Sequence, residues 1–123
     1  MLGNHPNTKG VTLVLTKQHY DSYVFDMNDD IYNRFMIAAK KVVKILEKGL
    51  GVQRVAMVME GMGLNHAHIK LYPLHGLTEK FTEMWGDKEV YFDKYEGYVT
   101  TLEGPLADMS TLRTVAKEIK ENQ

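Results

Sequence analysis

The chain has no cysteine among its 123 residues, which excludes disulfides and thiolate-based zinc sites. It has no long apolar run either: no stretch approaches the roughly 20 residues that cross a bilayer. The opening Met1-Leu2-Gly3-Asn4-His5-Pro6 lacks the charged-then-apolar layout of a secretion signal. A cytoplasmic protein with no membrane partner is the expectation. A surplus of either charge is missing too, since 15 Lys and Arg stand against 16 Asp and Glu for a net charge of -1. That balance argues against an extended nucleic-acid surface but leaves room for a small phosphate pocket. No internal repeat, linker or low-complexity segment interrupts the sequence.

What remains is ordinary for one globular domain over 1–123, with 44% hydrophobic and 25% charged residues. Val11 to Thr16 is β-branched and apolar and reads as a buried strand. Residues 21–27 read as a single helical turn. Asn28, Asp29 and Asp30 open a long helix, whose apolar stripe runs through Ile31, Phe35, Ala38, Ala39, Val42, Val43 and Leu46 and ends at Gly49 and Gly51. Arg54 to Met59 reads as a second strand, linked by the short run 60–65 to a third over 66–73, so the two should pair antiparallel. A short helix over 77–85 and strands at 89–92 and 97–101 are further expectations. Asp108 caps a last helix with Leu112, Val115, Ala116 and Ile119 on one side. Strands and helices in this order, without regular βαβ alternation, give an α+β fold: an antiparallel sheet with one long helix packed on it and a C-terminal helix.

The row His66-Ala67-His68-Ile69-Lys70-Leu71-Tyr72 carries the most chemistry. Its alternation has period two, so Ala67, Ile69 and Leu71 face a core while His66, His68, Lys70 and Tyr72 share the other face, alternate side chains roughly 7 Å apart. Two imidazoles and an ammonium on one face make an anion site with a nucleophile or proton carrier. The bland alternative is a solvated sheet face. Against it, the row holds two of the five histidines and follows a flexible Glu60-Gly61-Met62-Gly63 run that lets backbone approach a ligand. A second alternative is a metal site using His66, His68 and either Glu60 or His75, which the ammonium of Lys70 opposes.

The same row resembles the histidine triad (HIT) signature, His-apolar-His-apolar-His-apolar-apolar, with Lys70 at the third histidine. A second block, Pro6-x3-Gly10-x2-Leu13-Val14-x2-Lys17-x-His19, is similar to the family's Pro-x3-Gly-x2-Leu-Val-x2-Lys-x-His stretch. The resemblance covers residues 1–76, and 77–123 form an extension of unassigned role.

The resemblance implies a hydrolase or nucleotidyltransferase acting at the α-phosphate of a nucleotide conjugate, with no cofactor and no metal. His68 would be the nucleophile, forming a nucleotidyl-histidine. His66 would orient it, and Lys70 would bind a non-bridging oxygen. His19, Asn4, Asn65 and Glu60 become substrate-binding candidates. Asn4 lies in what resembles the tail of a ribose-contacting region, after a hairpin this chain does not show. Asn65 stands in for a missing Gly-x-Ser/Thr phosphate cradle. The resemblance also implies a homodimer. A non-catalytic nucleotide-binding module is the alternative, because the third histidine is absent.

Overall fold

The computed structural model describes all 123 residues, which form two compact units, Met1–Thr82 and Glu83–Gln123. In the first unit strand β1 spans Thr12–Leu15, a 3-10 turn Val24–Asp26, helix α1 Asp29–Leu50, strand β2 Arg54–Val58 and strand β3 His68–Leu74. The fold is α+β, as the sequence pattern implies. The sheet is antiparallel in the order β1-β3-β2, so the histidine-bearing strand lies in the middle.

Helix α1 starts where its sequence says it should. The Asn28 side chain accepts from the Ile31 N–H, and Asp29 and Asp30 occupy the first turn, where carboxylates complement the helix dipole. The helix runs through Gly49 and stops at Gly51, which takes a left-handed conformation (φ 66°) open to residues without a Cβ. Phe35 and Ala39 pack on Val24, Ala67, Ile69 and Leu71 to form the core. Ala67, Ile69 and Leu71 are fully buried, so the period-two reading of β3 holds. Ile69, Leu71 and Pro73 lie on the face toward α1, and His68, Lys70 and Tyr72 alternate with them on the other face, which ends at the exposed Leu74.

Cross-strand partners share a face. The face turned from α1 therefore carries Leu15 opposite His68, Leu13 and Val58 flanking Lys70, and Ala56 opposite Tyr72. The outer edge of β1 is covered by residues 1–3: the Leu13 N–H donates to the Met1 carbonyl and the Gly3 N–H to the Val11 carbonyl, each at 2.8 Å.

Residues 77–123 are built differently from the expectation. Helix α2, Met109–Glu121, is present and capped by Asp108, whose side chain accepts from the Ser110 and Thr111 N–H groups. The expected helix at 77–85 and strands at 89–92 and 97–101 are absent. An isolated nine-residue helix cannot repay nucleation without a packed face, and Phe81, Met84 and Trp85 stay exposed. In place of a ladder, one backbone bond joins Val90 to Glu103, and Phe92 meets Tyr98 edge-on. A lone two-stranded pairing is marginal in water. No helix in the chain is long and apolar enough to cross a membrane.

Candidate functional site

β3 begins at His68, so His66 precedes the strand rather than forming its first residue. The approach is held by main-chain bonds: Ala67 N–H donates to the Tyr20 carbonyl at 2.8 Å and His66 N–H to the Leu64 carbonyl at 2.9 Å. His68 is 7% exposed. Its Nδ1 lies 2.7 Å from the His66 carbonyl oxygen. A carbonyl only accepts, so Nδ1 carries the proton, and in the neutral ring Nε2 keeps its lone pair. The sequence expectation was that His66 orients His68 through hydrogen bonding. The contact found between them runs through the His66 main chain.

The His66 ring has its own anchor. Its Nε2 donates to the Thr16 carbonyl at 2.8 Å, with the Thr16 hydroxyl 3.3 Å away. His19 stands edge-on to it, ring centroids 5.4 Å apart. From His19 the contacts continue outward: Asp21 Oδ1 lies 3.4 Å from His19 Nε2 and accepts from Asn65 Nδ2 at 3.1 Å. Asn65 Oδ1 in turn accepts from the Ser22 N–H at 2.9 Å. His66, His19 and Asn65 thus form one connected group, closed by Thr16 and Asp21.

Beside this group the comparisons with known proteins are informative. No protein-family model and no solved structure matches the chain. An uncharacterised HIT-like protein of Methanocaldococcus jannaschii is 34% identical over 88 residues, covering 65% of this chain and 67% of that protein. The chain belongs to the HIT-like family.

In this HIT-like chain Lys70, two residues beyond His68 on the same strand face, is half-buried and paired. Its Nζ donates to Glu60 Oε1 at 3.3 Å. Lys70 and Tyr72 also line a cavity of about 410 Å³ with Leu13, Asn4 and His5. Of the substrate-binding candidates, Asn4 lies in that cavity, Glu60 holds Lys70, and His19 and Asn65 belong to the His66 group. The cavity wall does not include His68, which sits one alternate position up the same strand face. No three His, Asp or Glu side chains gather to hold a metal ion. His75, the other proposed ligand, donates to the Lys9 carbonyl at 2.8 Å.

Thr16 and Asp21 are the supports that sequence reading passed over. Thr16 contributes a main-chain carbonyl, which no side-chain pattern reveals. Asp21 sits in a segment whose sequence lacks a periodic signal. Its place two residues after His19 was the available clue.

Proposed function

We propose that this HIT-like protein is a nucleotide-binding hydrolase or nucleotidyltransferase that works through a covalent nucleotidyl-His68. The observation that carries the reading is the fixed His68 ring, with Nδ1–H tied to the His66 carbonyl and Nε2 left as the base. A neutral imidazole held by its other nitrogen is an activated nucleophile. Nε2 would form a bond to the α-phosphorus while the bond from phosphorus to the leaving oxygen or nitrogen breaks. The leaving atom takes the bonding pair and a proton from water. A second water, or an acceptor hydroxyl, then attacks phosphorus. The N–P bond returns its electron pair to Nε2, and the attacking group loses its proton to solvent. The Lys70 ammonium, on the same strand face, supports the reading as a donor to a non-bridging oxygen where charge builds.

The Lys70–Glu60 pair favours a second reading, a nucleotide-binding module without turnover, because a lysine held by a carboxylate is a weak substitute for an imidazole that passes protons. Intact-protein mass spectrometry during incubation with adenosine and guanosine phosphoramidates and dinucleoside polyphosphates separates the two. A transient gain of one nucleoside monophosphate, absent in His68→Ala, supports the enzyme. Nucleotide binding with neither adduct nor product supports the module. Dimer formation and cytoplasmic residence belong to the same proposal. Size-exclusion chromatography with light scattering tests the first, and fractionation of the source cells the second.

A further inference from the structure

Glu60 stands two residues beyond Val58, the cross-strand partner of Lys70, so the β2–β3 ladder itself brings carboxylate to ammonium. The side chains are 15% and 31% exposed, which shields the pair from most of the solvent. A lysine stem is flexible and its head is a point charge. Glu60 removes that freedom and holds the head on the β2 side, while Lys70 still lines the cavity beside Tyr72 and Asn4.

The pair also changes the charge that a ligand meets. A lone ammonium attracts any phosphate, and a dianion most strongly. Ammonium and carboxylate together are neutral as a unit. They still offer N–H groups to one non-bridging oxygen but do not compensate a second negative charge. The α-phosphate within a nucleotide conjugate carries one negative charge. A free terminal monophosphate carries roughly 1.5 to 2 at neutral pH.

We propose that Glu60 is a positioning and specificity-determining residue: it anchors the Lys70 ammonium and makes the site selective for a singly charged, diester-like phosphate over a doubly charged terminal monophosphate. The inference rests on the nucleotide reading above and deepens it. A conjugate is accepted with its single charge, and the monophosphate left after hydrolysis is held weakly and leaves.

Calorimetric titration tests this with AMP and GMP against their methyl esters, in which the phosphate is a monoanion. The proteins are wild type, Glu60→Gln, which keeps shape and removes charge, and Glu60→Asp, which keeps charge. Wild type should bind the methyl ester at least as tightly as the monophosphate. Glu60→Gln should tighten the monophosphate by about tenfold, the size expected for one unit charge several ångströms from a partly screened second charge. The methyl ester should change far less, and Glu60→Asp should keep the wild-type preference. The ratio of the two affinities is measured within each protein, so a general loss of folded material does not imitate the effect. An unchanged ratio in Glu60→Gln overturns the inference. Equal weakening of both ligands, the mark of a merely structural glutamate, overturns it too. If wild type binds none of the four ligands, the nucleotide reading itself falls, a result distinct from a bound but unselective site.

Discussion

Removing the His66 side chain should leave His68 correctly held. The His68 ring is fixed by the main-chain carbonyl of residue 66 at 2.7 Å, an acceptor that any residue supplies. His66→Ala instead deletes the ring's own bond from Nε2 to the Thr16 carbonyl at 2.8 Å and its edge contact with His19. One such hydrogen bond contributes about 1 kcal/mol net, and a half-exposed aromatic contact about 0.5 kcal/mol more. The expected cost is therefore about 1 to 1.5 kcal/mol of stability, read as a lower urea midpoint with unchanged slope. Long-range proton–nitrogen correlation spectra of the imidazoles, recorded above pH 7.5, report the tautomer of His68. They should show Nδ1–H in both wild type and His66→Ala. A switch of His68 to the Nε2–H tautomer in the variant would refute the main-chain assignment and give the orienting role to the His66 ring.

Three further outcomes follow from the packing and the caps. Ile69→Ala empties a fully buried position between His68 and Lys70 and should cost about 2 to 5 kcal/mol. Leu112→Ala on exposed α2 should stay within about 0.5 kcal/mol. Urea curves compare the two, and equal losses would mean that the core is misassigned. Gly61→Ala should destabilise by about 1 to 3 kcal/mol, because Gly61 has φ +70° and an added Cβ would lie 2.8 Å from the Ser22 carbonyl oxygen. A neutral result in the same assay would contradict that turn. Hydrogen bonds from the Ser110 side chain, then from the Thr111 backbone and side chain, hold the Asp108 carboxyl down at about 2 from an ordinary 3.8. A depressed folded value means that the cap's stabilisation of α2 is complete above pH 3.8 and is lost as pH falls through about 2. The amide shifts of Ser110 and Thr111 should titrate with a midpoint near 2, and a midpoint near 3.8 would mean that the cap does not form.

The sheet and α1 were legible because their signals are local and agree with one another. Asn28 marks a helix start, Gly51 a stop, and the alternation of Ala67, Ile69 and Leu71 assigns the buried face of β3 without reference to anything distant. Strand order was not legible, since nothing in β1 or β2 says that β3 lies between them. At the site, the sequence brought His66, His68 and Lys70 into one row. It could not show that Glu60 would be taken up by Lys70, which depends on the β2–β3 register, or Asn65 by Ser22 and Asp21, which depends on how segments 16–22 and 60–67 meet. The extension misled for a different reason. Tyr91, Phe92, Tyr98 and Val99 have strand-like side chains, but propensity without a sheet to join does not make a strand. The apolar side of α2 was read correctly as a stripe, and Leu112, Val115 and Ile119 are exposed.

Attack of His68 Nε2 on phosphorus, as proposed, leaves an adduct that can be located. The protein is mixed with a nucleoside phosphoramidate, quenched in alkali at short times, digested and sequenced by mass spectrometry, and the linkage nitrogen is assigned by phosphorus–nitrogen-correlated NMR. The expected product is a nucleoside monophosphate on the peptide containing His68, bonded through Nε2. An adduct on His66 or His19, attachment through Nδ1, or product formation with no adduct at any time point would contradict it.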